Sequence, residues 1–171
     1  GYYNGIVFFD YQNNRFVPSA DSLVFGESSR FISIDQDDNI WVSHPYHGVY
    51  KINKTKNKAG TVKIYTEKQG LPSALNNHVY KIKNQVVVAT EKGVFIYNIQ
   101  KDIFEPSKYY RNILGEQSIR YLKEDQAGNI WFIHDKTLGI IDLSEKEPKL
   151  IYMPELNNKM LSGFEFIYPV N

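Results

Sequence analysis

The chain has 171 residues, of which 42% are apolar and 23% are charged, so it can bury a core of ordinary size. Its net charge of +1 gives no electrostatic basis for binding nucleic acid or an anionic membrane surface. Cysteine is absent, which excludes a disulfide framework, a thiol nucleophile and a cysteine-based zinc site.

In chain order, four glycines that each follow a short polar break mark a repeat: Gly5, Gly48, Gly93 and Gly139. Their spacings are 43, 45 and 46 residues, and self-similarity of this period is typical of a propeller or another repeat array. Two units also share Asn-Ile-Trp, with a His three residues after the Trp, at Trp41 and Trp131. The pattern therefore predicts several copies of one small structural unit.

Each unit is predicted to contain four short strands, A to D, and the 15% of aromatic residues suits strands. Residues 3–17 supply strands C and D of a first unit, and residues 161–170 begin a last, partial one. Complete units are predicted at 30–66 (strands 30–35, 40–43, 49–53, 61–66), 78–106 (78–83, 85–89, 94–98, 103–106) and 120–153 (120–124, 130–133, 140–143, 149–153).

Very little helix is expected, because no segment combines a sustained helical period with a cap and a stop. The predicted fold class is all-β, with about four four-stranded antiparallel β-propeller blades. The whole chain, residues 1–171, is expected to form one partial propeller domain that belongs to a larger propeller.

The stretch GLPSALNNHVYKI, Gly70 to Ile82, and the two Asn-Ile-Trp blocks resemble the two-component regulator propeller repeat. The resemblance covers essentially the whole chain. Asp38 and Asn84 stand where that repeat has a turn glycine, and Val86 stands where it has Trp. The C-terminal stretch YMPELNNKMLSGFEFIYPVN is similar to Bacteroidetes regulators in which such propellers precede a triple-tyrosine module.

This resemblance implies a non-catalytic, ligand-sensing segment of a bacterial signal-transduction regulator, either a two-component sensor or a helix-turn-helix regulator. It implies a small-molecule or oligosaccharide ligand. The implied partners are the rest of the parent propeller, the triple-tyrosine module and, as an option, a second copy in a homodimer. No cofactor and no direct contact with nucleic acid are expected of this segment. The parent is expected to sit in the inner membrane with this part in the periplasm, or in the cytoplasm if it is a soluble regulator.

Strand order places the candidate ligand-binding residues on one face of the blades. The B–C and D–A connections lie at the same end of the sheets, which forms the mouth of the channel in a propeller. All four His of the chain fall on this face. The candidate ligand-binding residues are Arg30, His44, Tyr46, His47, His78, Lys92, Arg120 and His134.

Structural explanations compete with the functional ones. A Trp that recurs at one strand position favours packing between blades over stacking on a sugar. The His residues come from different blades without a short His-x-His pair, so no metal site is predicted. The segment Asp35–Asn39 lacks the EF-hand calcium pattern and is interpreted as a tight turn.

No catalytic residues are predicted, because nothing selects a Ser-His-Asp set and no paired carboxylates recur at the mouth. Two other functions stay open as alternatives. One is a propeller enzyme, a lyase or a hydrolase, that acts on a polysaccharide. The other is a protein-interaction scaffold that uses the blade edges.

A cationic or protonatable side chain precedes the first apolar residue of strand A in three successive units: Arg30, His78 and Arg120. Strand A is the innermost strand, so these groups are expected to converge near the axis and to favour an anionic ligand. The alternative is ordinary surface ion pairing, of Arg30 with Glu27 and of Arg120 with Glu116.

Overall fold

The computed structural model describes residues 4–19, 25–53, 60–159 and 167. In these ranges it contains fourteen strands, one α-helix and two 3₁₀ helices. Among the described residues, no helix is both long and apolar enough to cross a membrane. The strands are β1 (Phe9–Gln12), β2 (Arg15–Pro18), β3 (Phe31–Ile34), β4 (Ile40–His44), β5 (Gly48–Asn53), β6 (Thr61–Tyr65), β7 (His78–Ile82), β8 (Gln85–Thr90), β9 (Gly93–Asn98), β10 (Ile103–Pro106), β11 (Ile119–Glu124), β12 (Ile130–His134), β13 (Thr137–Asp142) and β14 (Lys149–Tyr152).

These strands form a two-stranded sheet, β1–β2, followed by three four-stranded antiparallel sheets. Each four-stranded sheet keeps its strands in chain order: β3–β6, β7–β10 and β11–β14. The all-β class and the strand order of the predicted blades are therefore confirmed. We call the three sheets blades 1, 2 and 3. The partial unit predicted at 161–170 lies outside the described residues, apart from Ile167.

The blades pack face to face, and their first strands β3, β7 and β11 lie side by side. Alternation along each strand sends neighbouring side chains to opposite faces of the blade. In β4, Trp41 points into the core between blades 1 and 2, whereas Val42 packs on the other side with Phe25 and Tyr50. In β8, Val88 faces blade 1 and Val87 faces blade 3. Burial between blades is therefore the main contribution to the core.

Both Trp side chains are fixed by the turn that precedes them. Asp35 Oδ2 accepts the Trp41 Nε1–H at 2.7 Å, and its Oδ1 accepts the Asn39 backbone N–H at 2.9 Å. Asp125 makes the same two bonds, at 2.9 Å each, with Trp131 and with the Asn129 backbone N–H. Trp41 is fully buried between blades, so its structural interpretation is confirmed. The acidic stretch at Asp35 forms a hydrogen-bonded turn.

The departures from the family repeat fit the backbone. Asp38 has φ of 59° and Gly128 has φ of 83°, so both occupy the left-handed region that the turn requires. Blade 2 replaces this turn by Lys83 and Asn84, both with positive φ, which is typical of a tight two-residue hairpin.

The repeated glycine of blade 1 has a steric cause. Gly48 has φ of 80°, and a Cβ at this position would collide with the carbonyl oxygen of Tyr65 on strand β6. Gly48 N also donates to the carbonyl oxygen of Ala74, in the connection between blades 1 and 2, at 2.8 Å. The glycine therefore lets the chain turn from strand B to strand C in close contact with its neighbours.

One short helix was not expected from the sequence: α1, Lys108–Leu114, lies in the connection from blade 2 to blade 3. Ser107 caps it by accepting the Tyr110 N–H, and Gly115 ends it with φ of 73°. Tyr110 and Leu114, four residues apart, bury their side chains in the core between blades 2 and 3. The helix has only seven residues, so it is too short to show a sustained period in the sequence.

A polar cluster joins the outer parts of blades 1 and 2. The carboxylate of Asp102 accepts the hydroxyl groups of Tyr65 and Tyr97, both at 2.5 Å, and pairs with Lys63. Lys51 lies 4.9 Å from the centroid of the Tyr97 ring. Burial alone would raise the pKa of Asp102, but hydrogen bonds from Lys63, Tyr65 and Tyr97 outweigh it and lower the pKa to about 2.

The turn that holds Trp41 makes a first prediction. Asp35→Ala leaves the buried indole N–H and the Asn39 N–H without their acceptor, so it should lower the free energy of unfolding by about 2 kcal/mol. Asp37→Ala is the matched control in the same turn, because Asp37 is exposed, and it should change stability by less than about 0.5 kcal/mol. Denaturant unfolding monitored by Trp fluorescence measures both; equal effects of the two changes would contradict this role of Asp35.

The Asp102 cluster makes a second prediction, about acid. The folded-state pKa lies below the usual value of 3.8, so the contribution of Asp102 is fully present above pH 3.8 and is lost as pH falls towards 2. Asp102 is partly exposed, so solvent screening reduces the expected loss for Asp102→Asn at neutral pH to about 1 kcal/mol. Unfolding measured against pH should show the difference between wild type and Asp102→Asn shrinking below pH 3.8. A difference that stays constant down to pH 2 would count against the cluster.

Candidate functional site

The structure divides the candidate residues of the mouth face into two groups and two separate positions. His44, Tyr46 and His47 gather at blade 1, where the B–C turn meets the connection that carries Glu27. Arg30, His78 and Arg120 stand at the start of the three inner strands. The two separate positions are Lys92, in the exposed B–C turn of blade 2, and His134, at the end of strand β12. His44 ends strand β4, whereas the sequence places it in the loop.

The blade 1 group is built around His44. Its Nδ1 accepts the backbone N–H groups of Tyr46 and His47, each at 3.0 Å. Its Nε2 lies 3.6 Å from the carboxylate of Glu27, and the same carboxylate lies 3.8 Å from Nδ1 of His47. The two imidazole rings are stacked, with centroids 4.1 Å apart. His44 is buried, whereas Tyr46 and His47 are exposed.

The Glu27, His44 and His47 side chains have the residue types and spacing of a metal site, since their ligand atoms lie within 4.8 Å of one another. The hydrogen bonds of His44 argue against that use. An Nδ1 that accepts two N–H groups holds its lone pair there, so the ring proton is on Nε2. Metal-binding His has the opposite arrangement, in which the second ring nitrogen donates its N–H. Sequence reasoning missed Glu27 as the partner of both His residues and considered that carboxylate only as an alternative ion-pair partner of Arg30.

The second group, the inner rim, consists of Arg30, His78 and Arg120. His78 Nδ1 lies 2.6 Å from the carbonyl oxygen of Arg120, which also accepts the Tyr80 hydroxyl at 3.1 Å. The pairing of β11 with β12 shifts register between Ile119 and Tyr121, so Arg120 occupies a β-bulge. Bulges commonly redirect a side chain or a carbonyl group. Here the bulge brings the Arg120 carbonyl group to His78.

The electrostatics of the rim are positive. Burial lowers the pKa of His78, the hydrogen bond to Arg120 raises it, and the charges of Arg30 and Arg120 lower it further, with a lowered pKa as the net result. Both guanidinium groups are therefore close enough to affect the His78 ring. The strand order agrees with this, because Arg30 precedes β3 and Arg120 lies in β11, the strands that pack on either side of β7 and its His78.

Neither arginine of the rim has an acidic partner in the described part of the chain. The ion pairs considered at the sequence level are wrong for a definite reason. Glu27 is engaged by His44 and His47, and Glu116 pairs with Arg111. Both carboxylates are thus used by side chains other than Arg30 and Arg120.

Beside the rim, the three inner strands enclose a groove of about 580 Å³. Three aromatic rings cross it, one from each blade: the Tyr80 ring lies 5.5 Å from Phe31 on one side and 5.5 Å from Tyr121 on the other. Sequence reasoning missed this row. Phe31 and Tyr121 directly follow the two arginines and could have been noticed, but Tyr80 is offset by one position within its unit.

The far end of the groove carries carboxylates, but their oxygen atoms are occupied. Glu124 accepts the Lys83 backbone N–H at 2.7 Å, and Asp125 holds Trp131 and Asn129. On the mouth face, the ring of His134 has a partner as well, since its Nδ1 lies 2.8 Å from the Ser118 carbonyl oxygen. The groove therefore combines aromatic walls with an unneutralised positive rim at the mouth.

Solved structures with the same fold are extracellular domains of bacterial regulators, the family that the sequence resemblance names. Two describe the extracellular domain of BT4673 from B. thetaiotaomicron, as a proposed hybrid two-component system (TM-score 0.57, 16% identity) and as a proposed one-component system (0.58, 17%); each covers 86% of this chain and 21% of the matched one. The third is the corresponding domain of BT3049, a proposed hybrid two-component system from the same organism, with TM-score 0.53, 17% identity, and 84% and 22% coverage. The TM-scores show a shared fold, and at this low sequence identity the likeness shows the fold alone. The chain spans about a fifth of the length of these structures. No protein-family model and no curated protein matches the sequence.

The His44 turn makes a third prediction. Burial lowers the pKa of His44, His47 lowers it further and Glu27 opposes both, with a lowered pKa as the net result. The neutral ring therefore stabilises the fold fully above the usual His pKa of 6.5, and this contribution is lost as pH falls through the folded-state pKa. Protonation of Nδ1 should release the Tyr46 and His47 amides, which NMR shifts and hydrogen exchange of these amides measure between about pH 8 and 5.

His44→Asn is the informative variant for this turn, because an Asn side-chain oxygen can accept the same two N–H groups without titrating. The Tyr46 amide should then lose the response to pH that depends on His44. His47→Asn is the control, since it removes the stacked ring and keeps His44, and its Tyr46 amide should still titrate. Titration of the Tyr46 amide in His44→Asn, equal to wild type, would contradict the assignment.

Proposed function

We propose that this chain is a non-catalytic, ligand-sensing segment of a bacterial signal-transduction regulator. The observation that carries the proposal is the groove on the inner strands, where Phe31, Tyr80 and Tyr121 present a row of rings next to a polar rim. Aromatic rings beside a few polar groups are typical of small-molecule and sugar sites. The ligand is a small molecule or an oligosaccharide that lies along this row.

The blades belong, in this proposal, to a larger closed propeller. Three complete blades and one half-blade leave Ile32 and Ile34 of β3 exposed on the side of the two-stranded sheet, where a complete blade would cover them. The same fold in longer extracellular domains supports this arrangement. The partners are the remaining blades, a triple-tyrosine module and, as an option, a second copy of the chain.

A periplasmic location belongs to the same proposal, because the structures that share the fold are described as extracellular domains. The parent is a membrane-anchored sensor that reports ligand to a kinase or helix-turn-helix output. A soluble cytoplasmic regulator is the other arrangement. A topology reporter fused to the parent protein that is active only in the cytoplasm would refute the periplasmic assignment.

The carboxylates of the groove favour sensing over catalysis. Glu124 and Asp125 are the two acids that line it, and both accept structural hydrogen bonds from Lys83, Asn129 and Trp131. A hydrolase needs one acid that can donate a proton and one that can attack or activate water. The hydrogen bonds that lower the pKa of Asp125, against the effect of burial, keep it ionised and occupied.

The fourth prediction tests the groove. Isothermal titration of the intact chain with oligosaccharides should show saturable binding. Tyr80→Ala should weaken it about fivefold, because stacking of this kind contributes about 1 kcal/mol. Tyr11→Ala removes an exposed ring from the two-stranded sheet and serves as the matched control with unchanged affinity. Circular dichroism should confirm that both variants are folded.

The recovered ligand distinguishes the proposal from its alternatives. A sensor returns the oligosaccharide unchanged. Release of ultraviolet-absorbing unsaturated products would indicate a lyase, and shortened saturated products would indicate a hydrolase. The absence of any saturable small-molecule binding would favour an interaction scaffold.

A further inference from the structure

We infer that the inner rim of Arg30, His78 and Arg120 binds an anionic group of the ligand, a carboxylate or a sulfate, and that binding is coupled to proton uptake by His78. The inference rests on the proposed function that the groove holds a ligand, and it names the chemical class that the rim selects.

The first argument is the unbalanced charge. Arg30 and Arg120 are exposed at the start of β3 and β11, the inner strands on either side of β7, and have no carboxylate partner in the described ranges. The nearby acids Glu27 and Glu116 are held by other side chains. Both arginines flank the strand of His78 and oppose protonation of its ring, and a bound anion would offset their charge. The guanidinium groups can bond its oxygen atoms directly.

The second argument is the orientation of the His78 ring. A carbonyl oxygen only accepts hydrogen bonds, so the 2.6 Å contact with the Arg120 carbonyl places a proton on Nδ1 of His78. The other nitrogen, Nε2, has no partner in the described part of the chain. In the neutral ring Nε2 presents a lone pair, which repels an anion. After protonation it presents an N–H, which bonds one.

The charged groups that face His78 come from both neighbouring strands. Arg30 precedes β3 and Arg120 lies in β11, and both oppose protonation of the ring. Tyr80, on the strand of His78 itself, donates to the same carbonyl oxygen as the ring. The Phe31 ring lies 4.6 Å from the His78 ring and covers one side of it. An anion that neutralises the arginines therefore removes the repulsion and makes protonation of His78 easier.

Coupling follows from linkage. The pKa of His78 lies below its usual value in the free protein and rises when an anion binds. Between the two values, each anion bound takes up a proton. The affinity for anions should therefore increase as pH falls from about 7.5 to 5.5, the range in which His titrates.

The experiment uses NMR of the intact chain and inorganic sulfate as the probe. The pKa of His78, read from its ring resonances, should rise when sulfate is added at low ionic strength. Sulfate affinity should be tighter at low pH and weaker in added sodium chloride. The double variant Arg30→Ala with Arg120→Ala should bind sulfate at least about tenfold more weakly.

The double variant also gives a readout without ligand. Removing both charges should raise the pKa of His78 in the free protein towards its usual value. Arg15→Ala is the matched control, because Arg15 is an exposed arginine on β2, outside the rim. It should leave both the affinity and the His78 pKa unchanged. Arg30→Gln with Arg120→Gln removes both charges, retains a polar side chain longer than alanine and replaces the alanine pair if that pair does not fold.

The outcomes separate this inference from the proposed function. Sulfate affinity unchanged in the double variant, or a His78 pKa that ignores saturating sulfate, overturns the anion site. Neutral oligosaccharides that bind wild type and double variant equally, while acidic ones do not bind, also overturn it and leave the sensing function intact. Sulfate binding without any oligosaccharide binding supports the site and counts against oligosaccharide sensing. A uronic-acid disaccharide and a sulfated disaccharide, titrated in parallel, distinguish the two anionic groups.

Discussion

Burial of side chains between adjoining sheets is the interaction on which the rest of the molecule depends. A single blade has two apolar faces and cannot cover either of them itself. Trp41 is fully buried only because the aromatic residues of blade 2, Tyr97 and Phe104, pack against it. The same packing aligns the inner strands β3, β7 and β11. The groove and its rim therefore exist only because at least three blades pack in order.

The sequence predicts the blades well, because strand alternation and turn residues are local signals. Strands B and C of blade 1 were predicted at 40–43 and 49–53 and are observed at Ile40–His44 and Gly48–Asn53. Among the three complete units, the largest boundary difference is β13, predicted to begin at Ile140 and observed from Thr137, because a tight B–C turn at Asp135 leaves Thr137 paired with His134. The helix α1 was missed because it is too short to show a period. Its signals lie within nine positions: the cap Ser107, the buried residues Tyr110 and Leu114, and the terminating Gly115.

The candidate site was less predictable, since its members are distant in sequence. The sequence identified the rim cations from their position before strand A, but it could not show that Glu27 approaches the B–C turn of its own blade more closely than it approaches Arg30. It could not show that a bulge at Arg120 turns that carbonyl group towards His78. These facts depend on how blades and connections meet, which single-strand patterns do not contain.

The positive rim follows from where the repeat uses its acids. At the A–B end of the blades, Asp35 and Asp125 each accept the indole N–H of a Trp, and for Trp41, which is buried between blades, an unpaired N–H would cost stability. At the mouth end, Glu116 pairs with the exposed Arg111, and Glu27 lies beside the two His of blade 1. None of these carboxylates is therefore paired with Arg30 or Arg120. If the fold needed these arginines for stability, each would have an acidic partner, since two like charges without a counter-charge oppose folding. Solvent and salt screen part of this repulsion because both arginines are exposed, and the anion inferred above would offset the rest.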